Sequence, residues 1–100
     1  MALTSFGFIV TGQGLDPSQH RMEMRSSTFT MLAVGVSHVD QAPAVAQAMV
    51  TRGVQLIELC GGFGATGTAR VLEAIGHAVP VGSVGYGPES IAGMHALFGA

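Results

Sequence analysis

The run Val54–Gly67 constrains this chain more than any other: Val-Gln-Leu-Ile-Glu-Leu-Cys leads at once into Gly-Gly-Phe-Gly-Ala-Thr-Gly. The first half has the apolar density of a buried strand. The second half is a glycine-rich turn, and Val71, Leu72 and Ile75 continue it at helical spacing from Thr68. A strand that empties through such a turn into a helix is the repeating unit of an α/β fold. A backbone so free of side chains can also curl around something small and negative, with a helix N-terminus pointing at it.

The rest of the chain fits the same plan. Leu3–Thr11 reads as a strand buried mostly on both faces. Gly12, Gly14 and Asp16-Pro17 break it into a mobile loop with His20 at the far edge. Arg21-Met-Glu-Met-Arg25 alternates strictly, as an edge strand guarded by charges does, although a helix over Ser18–Arg25 competes for the same residues. Thr28–Val36 is a second long apolar strand. Asp40 is then the expected N-cap of a helix carrying Pro43 in its first turn, with Ala42, Val45, Ala46, Met49 and Val50 inward and Gly53 as its stop. After the central stretch come a short strand over Pro80–Gly85 and a last helix with Ile91, Met94, Leu97 and Phe98 on one face. Strands alternating with helices imply right-handed crossovers and a mainly parallel sheet. The expected architecture is a single α/β domain over residues 1–100, a small three-layer flavodoxin-like sandwich. The alternative is half of a β/α barrel that completes itself by oligomerising.

In such sheets ligands bind beyond the carboxyl ends of the strands. That rule gathers Gly12–Asp16, Ser37-His38, Cys60–Gly67 and Gly85-Tyr86-Gly87 at one end. Gly61, Gly62, Phe63, Gly64, Thr66 and Tyr86 are therefore the expected contacts of a small anionic ligand, a phosphate or a carboxylate. Gly62-Phe-Gly64-Ala-Thr-Gly67 also matches a dinucleotide fingerprint in the required strand-to-helix context. The acid that should end the next strand is missing, because Gly85, Tyr86 and Gly87 stand there. A purely structural reading, in which the glycines only let helix and strand pack closely, stays open.

Cys60 ends its strand near a helix N-terminus, a setting that activates a thiol as a nucleophile. The competing reading is a buried, inert cysteine. Glu58 shares its face of the strand and is either a general base or a structural carboxylate. His38, after the strand ending at Val36, completes a possible nucleophile, base and orienting acid, as in a lyase, isomerase or hydrolase. A phosphatase-type loop requires arginine six positions after the cysteine, and Thr66 stands there. A non-catalytic interaction module is the third class.

Composition removes further classes. The chain has four arginines, no lysine and a net charge of −2, which argues against a nucleic-acid surface and excludes Walker-type and Schiff-base chemistry. His20, His77 and His95 lack metal-site spacing, so neither a metal nor a cofactor is expected. No apolar run approaches the roughly 20 residues of a membrane span. The single cysteine and an N-terminus unlike a signal peptide point to a reducing cytoplasm. Only 10% of residues are charged against 48% hydrophobic, so apolar surface is left over and a homo-oligomer is expected.

Gly53-Val-Gln-Leu-Ile-Glu-Leu-Cys-Gly-Gly-Phe-Gly64, together with Val79-Pro-Val-Gly82, Asp16-Pro17…His20-Arg21 and Val34-Gly-Val36, resembles a family of short bacterial and archaeal proteins of unknown function. The resemblance covers most of the chain and supports the fold and the weight of Glu58–Gly64. It implies no activity. The segment after Gly85 departs from the family pattern.

Overall fold

Burial along Ser5–Thr11 alternates, with Gly7 and Ile9 closed off and Phe6, Phe8 and Val10 half-buried, and this strand, β1, is the centre of the sheet. A computed structural model describes residues 2–99, so Met1 and Ala100, the ends of the expected domain, lie outside the described residues. After β1 come β2 (Arg21–Arg25), β3 (Thr30–Val36), α1 (Ala42–Thr51), β4 (Leu56–Leu59), α2 (Gly64–Ala74), β5 (Val81–Ser83) and α3 (Ile91–Phe98). The strands form one sheet in the order β2-β3-β1-β4-β5, in which only β2 runs antiparallel to its neighbour.

The core lies on one face of this sheet. Ile9, Leu32, Val34, Val36, Ile57 and Leu59 point to it from the strands, and Ala42, Ala46, Met49 and Val71 meet them from α1 and α2. Ile9, Ile57 and Leu59 are fully buried, each worth about 1.5–3 kcal/mol of transfer free energy. The amide of Gln47 donates to the Ala74 carbonyl at 3.0 Å and ties the two helices together.

Both helices share a face for a topological reason. The crossovers from β3 to β4 and from β4 to β5 step across the sheet in one direction, and right-handed crossovers in one direction put their helices on one side. A doubly wound sheet covers its second side with the helix of the connection that steps the other way. Here that connection, from β1 to β3, holds no helix. It contains a turn region and the edge strand β2. The chain is thus an α/β protein with a mainly parallel sheet, but among the described residues no helix is laid along its second face, which only Leu15 and α3 approach toward one end, and the expected three-layer sandwich is not completed within one chain.

Local chemistry shifts two helix starts. Asp40 was the expected cap of α1, but a 3-10 turn over Val39–Gln41 precedes that helix, and His38 is its N-cap. The Asp40 N–H donates to His38 Nδ1 at 3.3 Å, while Gln41 Oε1 accepts the Ser37 and His38 N–H groups at 2.9 and 3.2 Å. Helix α2 begins at Gly64 rather than Thr68, after a 3-10 turn over Gly61–Phe63, because Phe63 plunges into the core and anchors the first turn. The loop after β1, expected to be mobile, closes on itself: Asp16 accepts the Ser18 N–H at 2.9 Å and its hydroxyl at 2.8 Å, which holds the Asp16 carboxyl below the usual range.

Strand β2 has the expected strict alternation and is exposed along its whole length. Its Glu23 accepts from Arg25 Nη2 at 2.8 Å and lies 3.5 Å from Arg52 Nη2, so Arg25 above all holds the Glu23 carboxyl below its ordinary range. The stabilising charge is present above the unfolded-state value and lost as pH falls through the lowered one. In thermal melts Glu23→Gln is expected to lower Tm slightly at neutral pH and to have no effect once Glu23 is protonated; a Tm difference that persists in acid contradicts the pairing. Gly7 offers a harder test. A Cβ there would lie 2.6 Å from Met49 Sδ and 3.2 Å from Val54 Cγ1. Gly7→Val is expected to cost about 1–3 kcal/mol in urea unfolding, partly recovered by adding Met49→Ala.

Candidate functional site

Parallel pairing of β1 with β4 brings Ile9 beside Leu59, so the residues just beyond, Thr11 and Cys60, meet at the carboxyl ends of two neighbouring strands. The Cys60 N–H donates to the Ile9 carbonyl at 3.1 Å. The Cys60 sulfur in turn accepts the Thr11 N–H at 3.3 Å and lies 3.2 Å from the Thr11 hydroxyl. The chain leaving β5 comes back over this point, with the Val84 N–H donating to the Leu59 carbonyl at 2.9 Å, and delivers Tyr86 onto the glycine turn.

The two glycines after Cys60 make these approaches possible. A Cβ on Gly61 would sit 2.7 Å from Tyr86 Cε2 and 3.1 Å from the Val84 carbonyl oxygen, and one on Gly62 would sit 3.0 Å from Thr11 Oγ1. Gly67 plays the same part inside α2, where a Cβ would come 3.0 Å from that of Phe63. Gly64 has φ +60° at the junction of the 3-10 turn and α2, a conformation that favours glycine. Each glycine of the turn therefore has a local steric reason.

Above Cys60 the structure leaves a cleft of about 290 Å³. Its floor is Thr11, Cys60, Gly61 and Gly62; its walls are Val10, Tyr86 and, from α3, Met94 and Phe98. No lining side chain carries a formal charge. The volume falls at the low end of the range for small-molecule sites.

The expected site residues divide accordingly. Cys60, Gly61, Gly62 and Tyr86 line the cleft. Phe63 is only 5% exposed and belongs to the core, so its side chain is not available to a ligand there. Gly64 and Thr66 are exposed and outside the cleft lining. Glu58 is not buried: it stands beside Phe8 and Gly82 on the sheet face that α1 and α2 leave uncovered. His38 caps the turn before α1 and lies 3.3 Å from Asp40 Oδ2, and Asp40 accepts from Arg70 at 3.0 Å. Glu58 and His38 do not line the cleft, and the group that meets the thiol is Thr11.

Thr11, Val10, Met94 and Phe98 were not expected there. Thr11 could have been found, since it ends the strand that pairs with the one ending at Cys60. The strand-end rule pointed past it to the Gly12–Asp16 loop, whose Leu15 side chain instead folds over Gly12 and Gly35. Among the described residues no group of three His, Cys, Asp or Glu side chains is placed to hold a metal ion, and no helix is long and apolar enough to cross a membrane.

Tyr86 is the single tyrosine of a chain without tryptophan, so its fluorescence reports on the cleft directly. Gly61→Ala is expected to push the ring off the turn, raise its quenching by acrylamide and destabilise the fold by about 1 kcal/mol or more. Quenching equal to that of the unmodified protein would contradict the stacking.

No curated protein and no solved structure matches the chain. A family model described as a family of unknown function, DUF6506, matches residues 4–99. With that match over nearly its whole length, the chain belongs to the DUF6506 family.

Proposed function

We propose that this protein binds a small anionic metabolite in the cleft above Cys60–Gly62, with the anionic group on the glycine turn. The observation that carries this reading is the composition of the cleft. Its floor offers the Thr11 hydroxyl, the Cys60 thiol and the glycine backbone, while Val10, Met94 and Phe98 wall it with apolar surface. Uncharged donors of this kind hold an anion through hydrogen bonds, which gain strength when the acceptor is ionised. The missing cation and the apolar walls favour a carboxylate with a hydrocarbon body over a bare phosphate. One unpaired cysteine suits a reducing compartment such as the cytoplasm.

A thermal-shift panel of short carboxylic acids and phosphate esters, followed by calorimetry on whichever stabilise, tests the reading. Thr11→Val keeps the shape of the side chain and removes its donor. It is expected to weaken carboxylate binding roughly 10- to 100-fold, the range for a hydrogen bond to a charged group. The same ligand is expected to slow alkylation of Cys60 by iodoacetamide. Stabilisation by none of the acids or phosphates, or equal affinity in Thr11→Val, defeats the proposal.

A further inference from the structure

The sheet face opposite α1 and α2 carries two rows of side chains in register across four strands. One row is Met24, Met31, Phe6 and Leu56; the other is Met22, Ala33, Phe8 and Glu58. Seven of these eight positions are apolar. Met22 and Met24 are 68% and 64% exposed, and among the described residues no helix is laid along these rows. A mainly parallel sheet is ordinarily covered on both faces, so this is an unfinished surface.

Helix α3 is unfinished in the complementary sense. Its sequence, Ile-Ala-Gly-Met-His-Ala-Leu-Phe, is apolar around nearly the whole circumference, and it buries none of its residues. Ile91, Leu97 and Phe98 are 66%, 76% and 76% exposed, and only Met94 and Phe98 reach the cleft at the sheet's end. A helix that is apolar all round is made to be enclosed.

We propose that a second copy of this chain covers the open face, in a two-fold dimer where sheet packs on sheet and each α3 closes over the rim of its partner. Two apolar surfaces must be satisfied together, one a sheet and the other a helix, and a second copy presents both with the matching symmetry. The area suffices. The strands run from three to seven residues, and at a rise of about 3.3 Å and a spacing of about 4.8 Å they span about 400 Å² in projection. An α3 flank about 12 Å by 10 Å adds about 120 Å² more. Accessible area exceeds projected area on a surface this rough, so the sum reaches the lower end of the ~600–1,000 Å² per partner that stable complexes bury. An axis along the central strand β1 also sets the two Glu58 carboxylates on opposite sides of it, about 10 Å apart laterally.

This inference does not depend on whether the cleft binds an anion. Sedimentation velocity and light scattering of the full chain over the micromolar to millimolar range test it. The expected mass is twice the chain's 10.2 kDa. Met22→Glu with Met24→Glu introduces four carboxylates into the dimer interface at positions exposed in the single chain, and Leu97→Glu does so from α3. Each is expected to weaken dimerisation at least ~100-fold, because a charge buried without a partner is costly, while far-UV circular dichroism keeps the native shape. If the strand variant fails to fold, Leu97→Glu decides. A wild-type monomer throughout the range, or an assembly whose mass and dissociation constant the folded variants leave unchanged, overturns the proposal.

Discussion

Everything in this molecule depends on how the chain travels from β1 to β3. With a helix in that connection, the right-handed crossover rule would have covered the second face of the sheet, and the protein would be a small doubly wound domain. The connection instead carries an antiparallel edge strand, Arg21–Arg25. Both remaining crossover helices therefore fall on one side, where they build the core around Ile9, Val34, Ile57 and Leu59. The other side has Phe6, Phe8 and the methionines of β2 and β3, with no helix laid over them among the described residues.

The same topology sets the character of the cleft. It sits where β1 and β4 end together, between the core-bearing face and the open one, and it is roofed by the helix that has no other place to pack. The glycine turn contributes less by wrapping an anion freely than by letting Tyr86 and Thr11 approach the backbone within van der Waals distance. The structural reading of those glycines is thus met by contacts within the chain itself. Close approach of the ring and the hydroxyl shapes the cavity, and the peptide groups between them are what a ligand in it would meet.

Much of this was legible in the residues. The alternation of Arg21–Arg25, the buried run before Cys60 and Gly53 after α1 are local signals, and local signals place elements well. Cys60, Gly61, Gly62 and Tyr86 converged because the strand-end rule depends only on direction. What escaped were the consequences of pairing. Flanked by Leu56, Ile57 and Leu59, Glu58 could be buried or at an exposed margin, because its exposure depends on which face the helices choose, and that follows from the order of strands rather than from neighbours in the chain. His38 looked like a loop histidine aimed at a crevice, but capping a helical turn at Asp40 and Gln41 answers more local demands. The apolar stripe of α3 promised a docked helix and did not say on whose surface.

The position of β1 at the centre of the sheet has a consequence for synthesis. Residues 5–11 are made before either of their partners, pairing on one side with residues 30–36 and on the other with residues 56–59. Until residues 56–59 are made, this strand, which carries Phe6, Phe8 and Ile9, holds a ladder of free backbone groups along one edge. Parallel pairings across such separations form late and slowly, since loop closure must precede any reward. The growing chain is thus adhesive along β1 until β4 closes that edge, which is the stage at which a neighbouring polypeptide competes for it.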